Sequence, residues 1–88
     1  MSTQYLIIYK FIPLFQILEE LGLDLNFKII FIDTENSLNE KIKNTNNFLV
    51  ISNKKHPNIG NQFVLHNAPI NIFKLVEKLN IEFLKIQF

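Results

Sequence analysis

The 88-residue chain has no cysteine, and nine basic residues stand against eight acidic ones, for a net charge of +1. Disulfide scaffolds, cysteine-based zinc sites and CxxC redox centres are thereby excluded. All nine basic residues are Lys, so the bidentate Arg contacts that favour phosphate and base edges are absent, and the near-neutral balance argues against a nucleic-acid partner.

With 48% apolar residues, nine of them Phe, the chain predicts one ordered domain over residues 1–88. Met1 to Gln4 lack the basic segment that opens a secretory leader. No apolar run approaches the ~20 residues a spanning helix needs. The expectation is a cytoplasmic protein with no membrane contact.

Tyr5 to Tyr9 is a continuous apolar run rich in β-formers, too short for a helix and suited to a strand covered on both faces. Pro13 then opens a helical pattern in the first turn, where proline is tolerated, and Leu14, Ile17, Leu18 and Leu21 share a face up to Gly22. Phe27 to Ile32 predicts a second strand, ended by Asp33. Ser37-Leu38-Asn39-Glu40 fits a capping box, with Ser37 as the cap of a short helix carrying Leu38 and Ile42 inward. Phe48 to Ser52 is a third buried strand. Asn53 to Asn61 is a polar loop containing Pro57 and Gly60, and Gln62 to His66 a fourth strand.

Asn71 is positioned to cap the last helix. On it, Ile72, Leu75, Val76, Leu79, Phe83 and Ile86 form one stripe, and Phe73, Leu84 and Phe88 a second.

The order β-α-β-α-β-β-α, with strands apolar along their length, predicts an α/β fold. Its form is a three-layer sandwich whose four-stranded, mostly parallel sheet carries helices on both faces, with strand 1 inside the sheet. The nine-residue link between the third and fourth strands is short for a parallel crossover, so the direction of the last strand stays open.

This pattern resembles a shortened response-regulator receiver domain of the flavodoxin-like class. FKIIFIDTENSLNEKIK (27–43) is similar to that family's second strand and helix. FLVISNKKHP (48–57) is similar to its third strand, where a phosphorylatable Asp is followed four residues later by Pro. FVLHNAPINIFKLVEKL (63–79) is similar to its fifth strand and last helix. Asn53 stands in the place of the acceptor Asp, and Ala68 in the place of the Lys before Pro69. The acidic pair that holds Mg²⁺ would fall near Tyr9 and Lys10 and is missing. The resemblance implies a pseudo-receiver, related to two-component signalling but unable to accept phosphate, with a cis Ala68-Pro69 bond left open.

Residue chemistry points the same way. An amide at Asn53 cannot attack phosphorus. The serines are Ser2, Ser37 and Ser52, and none sits in a nucleophile elbow. With only Gly22 and Gly60, neither a GxGxxG turn nor a P-loop exists. His56 and His66, ten apart, form no zinc pattern. No enzyme, no cofactor and no metal are expected.

Asp33, Glu35, Ser52 and His66 could still form a rim for a small ligand or a cation at the carboxyl ends of the strands, where open α/β sheets build sites. The commoner role for residues such as Asp33 and Glu35 is a solvated turn or pre-helix position, favoured near a helix N-terminus. His56, with Lys54 and Lys55, could touch an anion or simply face solvent.

The last feature is a surplus of apolar surface. A helix lying on one sheet needs one stripe, and the last helix has two. The fourth strand lacks the Lys or Pro that protect an edge. The sequence therefore predicts a non-catalytic interaction module, a homodimer or a binder of another protein. Its surface would be Phe63, Val64 and Leu65 of the last strand and Phe73, Val76, Ile81, Leu84 and Phe88 of the last helix. The alternative is a regulatory domain that takes a small ligand or metal at the strand-end rim.

Overall fold

Aliphatic strands without polar alternation must be covered on both sides, and their pairing follows from that need. A computed structural model describes residues 4–21, 25, 27–45, 47–56, 59–65 and 71–87. Gly22, Pro57, His66, Ala68, Pro69 and Phe88, on which sequence expectations fall, lie outside these residues, as does the side chain of Ile86.

In chain order the elements are β1 (Tyr5–Tyr9), α1 (Ile12–Leu21), β2 (Lys28–Ile32), α2 (Glu35–Asn44), β3 (Phe48–Ser52), β4 (Gln62–Val64) and α3 (Ile72–Gln87). The strands form one sheet in the order β2-β1-β3-β4, and all three pairings are parallel.

β1 is central. Leu6, Ile7 and Ile8 are fully buried, and Tyr9 nearly so. Alternate residues serve different cores, as the period of two requires. Leu6, Ile8, Leu49 and Ile51 pack with Leu14 and Leu18 of α1 and with Leu75, Leu79 and Phe83 of α3. Ile7, Tyr9, Val50 and Ile32 pack with Leu38 of α2. The first cluster is sealed near the amino ends of the strands, where the Phe27 and Phe83 rings meet at 4.9 Å and Gln4 Nε2 donates to the Phe83 carbonyl at 3.3 Å. α3 thus runs back across the sheet to end beside the segments that enter β1 and β2.

β4 is parallel to β3, which settles the direction that the sequence leaves open. The strand is only three residues long and pairs with the last three residues of β3, Val50 to Ser52. The intervening loop therefore descends about two residues' rise, roughly 7 Å, instead of the whole length of the sheet. Nine residues cover that without a crossover helix. The Val50 amide donates to the Asn61 carbonyl at 2.8 Å and the Leu65 amide to the Ser52 carbonyl at 2.9 Å, extending the ladder at both ends.

One cap differs from the sequence expectation. The N-cap of α2 is Thr34, in extended conformation, and its hydroxyl accepts from the Ser37 amide at 3.3 Å. Ser37 is already inside the helix as the donor that the cap satisfies. Capping one turn earlier lengthens a helix that keeps only Leu38 fully in the core, and it places Glu35 in the first turn, where a carboxylate is favoured. The other expected cap is present: Asn71 Oδ1 accepts from the Lys74 amide at 3.2 Å.

Candidate functional site

In an open parallel sheet the connections leave β1 on one side toward β2, while β3 lies on the other. Their carboxyl ends therefore diverge and leave a crevice. Here that crevice is a cleft of about 320 Å³ lined by Tyr9, Lys10, Glu35, Leu38, Asn39, His56 and Ile59. The residues come from the end of β1, the first half of α2 and the loop after β3.

Tyr9 organises the cleft. Its ring is buried, the His56 ring meets it nearly edge-on at 4.9 Å, and Lys10 Nζ lies 5.4 Å from its centre. Lys10 itself has φ 55, in the left-handed region that glycine and asparagine favour and that costs other residues on the order of 1 kcal/mol. Its amide still donates to the Ile32 carbonyl at 2.9 Å, so the β1–β2 ladder runs through the strained residue.

His56 is fixed from the opposite side by Gln62. The His56 amide donates to Gln62 Oε1 at 3.0 Å, and Gln62 Nε2 donates to the His56 and Ile59 carbonyls, each at 2.8 Å. One side chain of β4 thereby holds both loop residues that line the cleft.

The polar groups facing this space are not spent on each other. Among the described residues the ion pair found is Lys85–Glu82, at 3.3 Å on the surface of α3. Within the same residues no hydrogen bond engages Lys10 Nζ, the His56 ring, the Asn39 side chain or the Glu35 carboxylate. A lysine, a glutamate, an asparagine and a histidine thus line one small crevice.

The rim read from sequence is only partly assembled. Glu35 lines the cleft, whereas Asp33 is exposed and not part of its lining. Ser52 is buried, its hydroxyl donates to the Lys54 carbonyl at 2.5 Å, and it is not part of the cleft lining. Asn53 is exposed at the end of β3, and His66 lies outside the described residues. Among the described residues no group of three or more His, Cys, Asp or Glu could hold a metal ion.

Tyr9, Lys10, Asn39 and His56 are absent from the rim that the sequence predicts. The available signal was topological. Once strand 1 is central, the residue after it must stand at the crevice.

The predicted interaction surface also divides. Phe63 and Leu65 are half-buried and pack against the core cluster shared by α1 and α3; Val64 and Val76 are half-buried too. Three residues stand well out: Phe73 at 70%, Leu84 at 56% and Ile81 at 53% exposed. At about 100° per residue they fall on one strip of α3, roughly opposite the buried Leu75, Leu79 and Phe83. Phe88 lies outside the described residues.

No protein-family model, curated protein or solved structure matches this chain. Among the described residues no helix is long and apolar enough to cross a membrane.

Proposed function

We propose that this chain is a non-catalytic, cytoplasmic interaction module, a pseudo-receiver of flavodoxin-like three-layer architecture, that binds protein through the outer strip of α3 and pairs reversibly with a second copy. The observation that carries the reading is the exposure of Phe73, Ile81 and Leu84 on the side of α3 turned away from the sheet. An isolated exposed Leu is ordinary, but three large apolar side chains along one helix face form a patch of the kind that marks contact sites.

The parallel order β2-β1-β3-β4 is compatible with receiver-like architecture. At the end of β3 stand the Asn53 amide, which cannot attack phosphorus, and the Ser52 hydroxyl, which is buried and donates to a backbone carbonyl rather than to a base.

The strength of the contact follows from its area. Completing the burial of three partly exposed side chains on each of two protomers yields about 5–11 kcal/mol gross. Lost rotational and translational freedom costs about 4–15 kcal/mol. The balance describes a weak, reversible pair, not an obligate dimer. Phe63 and Leu65, already packed inward, add little to it.

Light scattering over a micromolar-to-millimolar series tests this. Average mass should rise with concentration for the natural chain and stay at the monomer value for Phe73→Lys and Leu84→Lys, whose unfolding midpoints should match the parent's. Variants that associate like the parent would place the contact elsewhere, and a parent that stays monomeric throughout would remove self-association.

A further inference from the structure

We propose that the crevice at the carboxyl ends of β1 and β3 is a non-covalent binding site for a small bipolar metabolite of the amino-acid class, its carboxylate held by Lys10 and His56 and its ammonium group by Glu35. This site is independent of the α3 strip and does not rest on its function.

Three observations converge on it. The first is position. The cleft lies at the point where the connections of a parallel sheet part, where the fold leaves room for a ligand without disturbing the core. Its 320 Å³ is at the lower end of the range of small-molecule pockets.

The second is the backbone at Lys10. A lysine at φ 55 occupies a conformation that glycine would adopt at no steric cost, next to a strand that pairs normally through it. Local strain of this kind concentrates where a side chain is needed at a set place. Here the strained residue brings its ammonium group over the Tyr9 ring, into the cleft lining.

The third is the state of the polar groups. Among the described residues Lys10 and Glu35 both line the cleft without forming an ion pair, and the Asn39 side chain and the His56 ring have no hydrogen-bond partner. Meanwhile the backbone of His56 is anchored by Gln62 and its ring is set against Tyr9. The groups are positioned yet unspent. Opposite charges facing one crevice select a molecule that carries both signs; an anion alone would meet Glu35 unfavourably. Leu38 and Ile59 supply an apolar wall for a short side chain.

The test uses amide and side-chain NMR of the full chain, titrated separately with a mixture of free amino acids and with inorganic phosphate. The amino-acid mixture should shift the resonances of Lys10, Glu35, Asn39 and His56, and phosphate at equal concentration should shift them several-fold less. Lys10→Gly removes the ammonium group and relieves the left-handed strain. It should abolish the response to amino acids while leaving the unfolding midpoint unchanged or higher.

Glu35→Gln should weaken the response to amino acids at least tenfold and strengthen that to phosphate. The proposal is overturned if neither probe perturbs the cleft, if phosphate binds as well as amino acids, or if Lys10→Gly folds and binds like the parent.

Discussion

Gln62 holds the loop between β3 and β4 through three hydrogen bonds, and replacing it by Ala removes all of them: one accepted from the His56 amide and two donated to the His56 and Ile59 carbonyls. Each such bond contributes about 0.5–1.5 kcal/mol net. The site is only partly buried, so water can reach part of what is released. That places the cost toward the lower end of the sum, at about 2 kcal/mol.

For a chain of this length the whole stability is of the order of 4–13 kcal/mol, so the effect should be plain in urea unfolding as a lower midpoint with an unchanged slope. Gln62→Glu isolates the two donated bonds. It keeps the shape and the acceptor for the His56 amide but turns a carboxylate toward two carbonyl oxygens, so it should destabilise at least as much as Gln62→Ala. Hydrogen exchange at the His56 amide should accelerate in both. A loss below about 0.5 kcal/mol for Gln62→Ala, or a Gln62→Glu variant as stable as the parent, would refute the role given to this side chain.

Other outcomes follow from the same packing. Thr34→Ala should cost about 1 kcal/mol by removing the cap of α2, whereas Ser37→Ala, which leaves the Ser37 amide and the Thr34 hydroxyl intact, should be nearly neutral in thermal unfolding. Leu79→Ala, at a fully buried position between α3 and the sheet, should cost about 2–5 kcal/mol by calorimetry or urea titration. Leu38→Ala removes the one fully buried contact of α2 and should cost a similar amount, with faster hydrogen exchange across residues 35–44 relative to β1. Lys10→Gly should be neutral or stabilising by up to about 1 kcal/mol in urea, against the usual direction for a change to glycine.

How much of this was legible in the chain depended on whether the signal was local. The runs Tyr5–Tyr9 and Phe48–Ser52 announced strands buried on both faces because they lack any polar alternation, and the central place of β1 followed from the handedness of its crossovers. The two stripes of α3 were visible as a periodicity, and the exposed Phe73 and Leu84 lie on the second of them.

Two local motifs misled or fell silent. Ser37-Leu38-Asn39-Glu40 has the form of a capping box, but Thr34 caps first, and no short pattern ranks two candidate caps one turn apart. The direction of β4 turned on its length, because a three-residue strand beside the end of β3 makes a nine-residue parallel link feasible.

The cleft was the least legible part. Its lining comes from three separate segments, and its most telling feature, the left-handed backbone at Lys10, falls on a residue type that gives no sign of it. Ser52 is placed differently from the cleft residues. It stands at the strand end where a site residue would, but its hydroxyl closes a turn of its own loop.

The most direct test of the interaction role is the concentration dependence of the amide NMR spectrum, because it reads mass action and location together. The resonances of Phe73, Glu77, Ile81 and Leu84 should move progressively from micromolar to millimolar protein, while those of β1 and β3 stay fixed. Movement confined to β4 or to the cleft, or a spectrum that does not change with concentration, would contradict that role.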